Sequence, residues 1–346
     1  MGFNEIEYKK PFFSISNELN EYLINCSRCL EIPLQYEDLL RFTNLVPLQD
    51  KKGDNSLWKA AIYSPNDLDF LYAGLVEMYR LLMSDGSKID HLIVNSIDYC
   101  SYGNSKPFRI KILNQLNDNY DYYYIKRADA SRVYGLELEH YFSPNKIHYI
   151  CYKNTIVEEH IIGVPGDQFI KEFVPHQVRD EKKEVNLVRL AKEFVKFNER
   201  CFVRLLGDMR AYNFVVVVTQ DFDQIQYRIR AIDFDQQCFE GRHKIYLPQF
   251  YKDNIFFVQL AQNSVSSETA EQYVKEEQSL LRKRYLNEKN EIDTLINILK
   301  NDTVSFPEYV KNLKMELGKF YKNTNFKDCE NMGEILELNI KTRLQL

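Results

Sequence analysis

The chain has 346 residues, of which 45 % are hydrophobic and 27 % charged, enough for one large domain or two packed lobes. The formal net charge of −5 excludes a protein that binds nucleic acid through its overall charge. No run approaches the roughly eighteen apolar residues of a membrane span, and an odd number of scattered cysteines is typical of a reducing compartment. We therefore expect a soluble cytoplasmic protein with no nucleic-acid or membrane partner.

The first 90 residues are predicted to form a mostly helical N-terminal segment. Ser64-Pro65-Asn66 has the composition of a helix start. The residues behind it repeat at the i, i+3, i+4 spacing of an amphipathic helix, at Leu68, Leu71, Tyr72, Leu75, Tyr79 and Leu82. Asp85-Gly86 is predicted to end this helix.

Residues 91–163 change to the alternating period of strands. Strands are predicted around 108–112, at 122–126, at 147–152 and at 155–161. A helix that begins at Asp129 or Ser131 and runs to about Phe142 separates the second strand from the third. This order, with two strands on either side of one helix, predicts a small antiparallel sheet lobe.

Residues 164–346 are predicted to form a mainly helical lobe. The apolar face of the first helix contains Leu187, Leu190, Ala191, Phe194 and Val195. Short apolar strands are predicted at 201–206, 214–218 and 227–232, with a turn at 221–223 between the last two. Helices are predicted from about 247 onward, among them one that begins at Ser267 and a terminal one over 332–344. The fold class is therefore α+β, with a sheet lobe and a helical lobe.

Polar side chains cluster between and after two of these apolar strands. Asp208 and Asn213 lie five residues apart in a loop, and Asp233 and Asp235 end the strand that follows. Carboxylate and amide oxygens are the ligands that magnesium takes when it holds a nucleotide phosphate. Arg210 follows the first acid by two residues, and its guanidinium suits a phosphate. The alternative is that Asp208 and Asn213 cap turns, and that the other two acids merely end a strand.

This pattern resembles the catalytic loop D-x-[K/R/H]-x-x-N and the D-F-x motif of the protein-kinase-like superfamily. The Gly-Asp pair at 207–208 and the Ile-Asp-Phe-Asp ending at 232–235 are nearest in style to aminoglycoside-type phosphotransferases and phosphoinositide-type kinases. The resemblance implies a two-lobed fold and an ATP- and magnesium-dependent phosphotransferase. It assigns Asp208 as catalytic base and Arg210 as phosphate contact. It assigns Asn213 and Asp233 as magnesium ligands, with Asp235 on a second ion.

The same resemblance implies a lysine on the third strand of the sheet lobe and a glutamate on the next helix. Lys126 ends a predicted strand, and Glu137 lies on an apolar arc of the following helix, whereas Glu139 points away from it. A carboxylate on an apolar face needs a partner, because an unpaired buried charge is costly. We therefore predict that Lys126 pairs with Glu137.

Adenine is expected to bind through the backbone of Glu159, His160 and Ile161, where the resemblance places the hinge between lobes. Two features depart from typical protein kinases. The loop at 101–105 has one glycine, Gly103, and no APE-like motif follows Asp235. These departures leave the acceptor unknown, whether a small molecule or a protein.

Three other functions stay open at this point. A catalytically idle kinase-like module would bind through the same fold. A nucleotidyl transferase would pass on AMP from a reversed ATP. A metal-dependent nuclease would use Asp233, Asp235 and a lysine.

Overall fold

A computed structural model of the protein describes residues 10–50, 53–83, 91–173, 186–221 and 224–346. The chain forms two compact units, one of residues 1–130 with 147–160, the other of residues 131–146 with 161–346. The first contains a seven-stranded antiparallel sheet, and the second is mainly helical with a three-stranded sheet. The predicted α+β fold class, a sheet lobe with a mainly helical lobe, is confirmed.

The sheet of the first unit has the strand order β1-β2-β3-β4-β5-β7-β6, and every neighbouring pair is antiparallel. Its elements are α1 (Asn17–Asn25), α2 (Tyr36–Leu39), β1 (Asn44–Gln49), β2 (Asn55–Ile62), α3 (Pro65–Leu82), β3 (Leu92–Cys100), β4 (Phe108–Asn114), β5 (Tyr120–Arg127), β6 (Tyr149–Tyr152) and β7 (Thr155–Glu159). The four strands predicted between residues 108 and 161 are present as β4, β5, β6 and β7, within a few residues of their predicted limits.

Helix α3 begins where the sequence predicts, with Ser64 as N-cap and Pro65 in the first turn. Its buried side chains join a core with the inner residues of β4 and β5, and Tyr123 donates a hydrogen bond to the Leu75 carbonyl at 2.8 Å. Of the predicted apolar face, Leu71, Leu75, Tyr79 and Leu82 are buried, whereas Tyr72 is exposed. The predicted stop at Asp85-Gly86 lies outside the described residues.

Two strands, β1 and β2, occupy part of the segment that the sequence analysis predicts to be helical. None of the side chains of β1 is buried, so the segment has no apolar alternation to mark it. Its place depends on β2, which pairs with β3 through Trp58, Lys59 and Ala60. Pro47 is tolerated because β1 is an edge strand.

The second unit contains helix α4 (Ala130–Phe142), except for its first residue, and most of the remaining helices. They are α5 (Leu187–Arg204), α6 (Ile255–Ser264), α7 (Ser267–Asn287), α8 (Lys289–Asn301), α9 (Pro307–Tyr321) and α10 (Met332–Leu344). Its strands are β8 (Val164–Pro165), β9 (Phe214–Asp221) and β10 (Gln224–Ala231), with short helical turns at Gly166–Gln168, Phe169–Phe173, His243–Tyr246, Pro248–Phe250, Lys252–Asn254 and Thr324–Asp328. Across the described ranges, no helix has both the length and the apolar character needed to span a membrane.

The strand predicted at 201–206 is wrong, because residues 201–204 form the last turn of α5. Leu205 is the C-cap of this helix and adopts a left-handed conformation with φ of 53°. The last turn of α5 is enclosed on every side, since all its residues are buried: Cys201, Phe202, Val203 and Arg204. A helical turn without an exposed face has the same apolar sequence pattern as a buried strand. Leu206 makes only an isolated bridge to Gln237.

Helix α4 is fixed to α5 by a buried ion pair between Glu139 and Arg204. Burial by itself raises the pKa of Glu139, but the Arg204 guanidinium and a hydrogen bond from Ser143 outweigh it and hold that pKa below its usual value. Arg204 also donates from Nε to the Arg200 carbonyl at 3.0 Å. The contacts thus group most of α4 with the helical unit and not with the predicted sheet lobe of residues 91–163.

We expect Arg204→Met to lower the free energy of unfolding by about 3–5 kcal/mol, because Glu139 is then a buried carboxylate without its cation. Replacing both partners, as in Arg204→Met with Glu139→Leu, should recover most of this loss. Urea denaturation followed by circular dichroism measures both changes.

Arg41→Met is the matched control, since Arg41 pairs with Asp38 while its own side chain is 67 % exposed. It should cost less than about 1 kcal/mol. Equal losses in the buried and exposed variants would contradict the expectation.

Candidate active site

The loop with Asp208 and the motif with Asp233 meet at one edge of the small sheet of the second unit. Phe214, the first residue of β9, pairs with Ala231, the last residue of β10. The residues just outside this pair are therefore neighbours, and the Ile232 amide donates to the Asn213 carbonyl at 3.0 Å. The structure thus brings Asn213 and Asp233 together, as the sequence pattern predicts.

Asp208 is held by its backbone conformation and by three side chains of the same unit, those of Asn213, Tyr251 and Arg210. Its φ of 54° is left-handed, a conformation that aspartate tolerates better than most residues. Asn213 Nδ2 donates to the Asp208 carbonyl at 2.7 Å and to its Oδ2 at 3.3 Å. The Asp208 amide donates to the Tyr251 hydroxyl at 2.9 Å. Asn213 therefore orients the carboxylate of Asp208, and sequence reasoning missed Tyr251.

Burial raises the pKa of Asp208, and the charge of Asp253 acts in the same direction. The hydrogen bond from Arg210 Nε, at 2.8 Å from Asp208 Oδ1, opposes this shift without cancelling it. Arg210 also contacts Asp253 at 3.2 Å and lies over the Tyr251 ring. Such a carboxylate, partly exposed and with a raised pKa, is suited to accepting a proton.

Asp233 and Asp235 both accept hydrogen bonds from Arg132, a residue that the sequence analysis did not select. Arg132 Nη1 lies 2.8 Å from Asp233 Oδ1 and 2.7 Å from Asp235 Oδ1. The side chain of Arg132 is 0 % exposed, that of Asp235 9 % and that of Asp233 34 %. The two acids therefore share a buried guanidinium, and only Asp233 is substantially open to solvent.

Helix α4 approaches this motif closely enough to deliver Arg132. A Cβ atom on Gly135 would lie only 2.8 Å from Cβ of Phe234, so glycine is needed there. Ser131 Oγ donates to the Gln237 carbonyl, and Arg132 Nη2 lies 3.4 Å from the Ile232 carbonyl. The pattern Ser-Arg-x-x-Gly at the start of a predicted helix was the available sequence signal for this contact.

Two side chains at this edge, those of Asn213 and Asp233, could hold a magnesium ion. Both side-chain hydrogen bonds of Asn213 within the described residues use Nδ2, so Oδ1 is the atom that could bind a cation. Across the same residues, no group of three or more His, Cys, Asp or Glu could hold a metal ion. Magnesium commonly takes one or two protein oxygens together with water and substrate phosphates. Asn213 and Asp233 fit that pattern, whereas Asp235 is nearly buried against Arg132.

In the first unit, Lys126 lies on β5 and donates to Glu158 Oε2 on β7 at 2.9 Å. Both side chains are at least nine-tenths buried. In the register of these strands Tyr124 is opposite Glu158, so Lys126 lies diagonally across from Glu158. Strand register is a non-local property, and for this reason sequence reasoning missed Glu158. Glu137 is buried in the second unit. Its predicted pairing with Lys126 stays a prediction.

The segment predicted to bind adenine begins at the end of β7. The Glu159 amide donates to the His148 carbonyl at 3.0 Å, so that amide is already used. His160 Nδ1 lies 3.1 Å from the Tyr124 hydroxyl, and burial lowers the pKa of His160, which keeps the ring neutral at neutral pH. Ile161 is buried in the second unit. Adenine binding by these three residues stays a prediction.

The loop between β3 and β4 contains Gly103 in a left-handed conformation with φ of 80°. A Cβ there would meet no atom within 4 Å, so the backbone angle and not the space calls for glycine. This loop is the candidate for phosphate contacts.

No protein-family model matches the chain, and no curated protein matches its sequence. Solved structures that are similar to it include two kinases. A structure of titin kinase with its flanking domains has 9 % identity and a TM-score of 0.23, over 72 % of this chain and 54 % of that one. Plasmodium vivax ethanolamine kinase has 12 % identity and a TM-score of 0.23, over 82 % of this chain and 89 % of that one. The chain therefore spans about half the length of the titin structure. TM-scores this low carry no argument about function.

We expect Asp208→Asn to stabilise the protein at neutral pH. Folding raises the pKa of Asp208, so the protonated carboxyl favours the folded state. This contribution to the free energy of unfolding is complete below the unfolded pKa of 3.8 and is lost as the pH rises through the pKa of the folded state. Asparagine has no charge to desolvate, and it tolerates the left-handed backbone. Urea denaturation should therefore give a higher free energy of unfolding for the variant at about pH 7, and the gain should shrink as the pH approaches 4 and below.

Asp253→Asn is the control, since Asp253 also contacts Arg210 but is exposed. It should change the free energy of unfolding by no more than about 0.5 kcal/mol. A loss of stability in Asp208→Asn at pH 7 would show that its charge is structurally required.

Proposed function

We propose that this protein is an ATP- and magnesium-dependent phosphotransferase of unknown acceptor. The observation that carries the proposal is the assembly of Asp208, Asn213 and Asp233 at one edge of the β9–β10 hairpin, joined by the Ile232 to Asn213 hydrogen bond. Asn213 binds both the carbonyl and the carboxylate of Asp208, so it holds the acid as well as the turn. Lys126 on the third of the strands β3 to β7, followed by a helix with Glu137, supports the same proposal.

Each residue has a distinct role in this proposal. Asp208 accepts the proton of the acceptor hydroxyl as its oxygen bonds to the γ-phosphorus and the bond to the β,γ-bridging oxygen breaks. Arg210 contacts Asp208, and in this proposal its guanidinium turns toward the transferred phosphate. Asn213 and Asp233 would hold magnesium, which would supply charge neutralisation of the phosphates when bound. Asn213 also keeps Asp208 in position, and Lys126 binds the other phosphates.

A second function, binding of nucleotide without catalysis, is favoured by one specific observation. Arg132 already satisfies charge on both acids of the Asp233 motif, and a buried guanidinium beside them weakens their attraction for a cation. An idle module of this kind would bind ATP equally well with and without magnesium. The two functions therefore differ in the metal dependence of ATP binding.

ATP at a hundredfold excess over its Kd should raise the free energy of unfolding by about 2.7 kcal/mol in the presence of magnesium, and by less with EDTA. Asp233→Asn should lose most of the magnesium-dependent part, because it removes a charged ligand. Thermal unfolding of the full chain with ATP, with and without magnesium, measures this. Asp328→Asn, the same change at an exposed position, is the control and should keep the full shift. If ATP raised the unfolding temperature of the wild-type protein equally with magnesium and with EDTA, the result would favour the idle module.

Asp208→Asn should keep the ATP-dependent shift but lose turnover by about 10² to 10⁴, the range of a general base. Parallel incubations of cell extract and small hydroxyl compounds with γ-labelled and α-labelled ATP would measure transfer. Label from the γ position alone supports phosphotransfer, whereas label from the α position identifies a nucleotidyl transferase. If Asp208→Asn abolished ATP binding, the role of Asp208 as base would be rejected.

A further inference from the structure

Arg132 stands where a cation bound by both acids of the Asp233 motif would stand. One nitrogen, Nη1, contacts Asp233 Oδ1 at 2.8 Å and Asp235 Oδ1 at 2.7 Å. The side chain is fully buried, and α4 is drawn against the motif so closely that residue 135 must be glycine. The guanidinium is therefore a fixed part of the site.

Its charge is permanent, because an arginine in a protein does not lose its proton. A divalent ion that bridged the same two oxygens would have to displace a buried guanidinium or share its ligands with it. Displacement would leave the arginine buried without those carboxylates, and sharing would place like charges side by side. Asp235, with a side chain only 9 % exposed, is not available from solvent.

We propose that Arg132 takes the place of a second metal ion, so that the site binds one divalent cation and not two. The inference rests on the proposed function for the first ion, at Asn213 and Asp233. In this inference Asp235 is the ion-pair partner of Arg132 and is not a metal ligand. The competing explanation is a purely structural ion pair, whose loss would change stability but not the number of metal ions bound.

Mn²⁺ is the probe, and equilibrium dialysis gives the number of ions bound per chain as the excess over the protein-free compartment, since nucleotide by itself also binds Mn²⁺. The titration uses the full chain saturated with an ATP analogue that has an imido β,γ-bridge. The wild-type protein should bind one Mn²⁺. Arg132→Gln, which removes the charge, should bind two. Arg132→Lys keeps a cation in the same place and should bind one.

Circular dichroism shows whether Arg132→Gln is folded. If it is not, Asp235→Asn is the second variant that tests the inference. In the presence of Arg132 it should still bind one Mn²⁺, because Asp235 is not a ligand. Two ions in the wild-type protein, one ion in both the wild-type protein and folded Arg132→Gln, or one in the wild-type protein and none in Asp235→Asn would each overturn the inference.

Failure of the proposed function gives a different result. No Mn²⁺ in the wild-type protein but one in Arg132→Gln would remove the proposed phosphotransferase, yet support Arg132 as the resident cation. No Mn²⁺ in either protein would overturn both proposals.

Discussion

The buried guanidinium of Arg132 is the charge around which the candidate site is organised. An arginine without contact to water must be neutralised, and two carboxylates from one short segment, Asp233 and Asp235, contact it within 2.8 Å. Neither the helix nor the segment can move without exposing an uncompensated charge to an apolar interior. The chain meets this constraint with Gly135, which removes the side chain that would separate α4 from Phe234. The orientation of the Asp233 motif thus depends on its contact with α4, which lies about 100 residues earlier in the chain.

The loop with Asp208 is tied to the same segment through its backbone. The Gly207 amide donates to the Gln236 carbonyl at 3.2 Å, the Cys238 amide to the Leu205 carbonyl at 3.0 Å, and the Ile232 amide to Asn213. Left-handed residues at Leu205 and Asp208 turn the chain out of α5 and into the loop. A shift of the segment that Arg132 holds would therefore also shift Asp208. Precise placement of catalytic groups depends on such support from surrounding contacts.

Local signals were enough to predict α3 from Ser64-Pro65, α4 to Phe142 and the β9–β10 hairpin beside the loop, because each follows from period and capping along the chain. Features that depend on distant partners were not predictable in the same way. Strand β1 has no buried residue. It depends on β2, which is held in the sheet by its pairing with β3. Lys126 contacts Glu158 because of a strand register that a single sequence does not reveal. Arg132 was missed because an arginine near a helix start is usually a solvated residue.

The same contact changes the charge that a nucleotide-bound metal would meet. Two carboxylates carry two negative charges, and Arg132 compensates one, so the motif presents a net charge of about −1. With so little charge, and with no cluster of three metal-ligating residues among those described, the protein by itself is a weak ligand for magnesium. Under the proposed function, phosphate oxygens would complete the coordination. Metal and nucleotide binding would then be coupled, and magnesium would enter this site as its nucleotide complex.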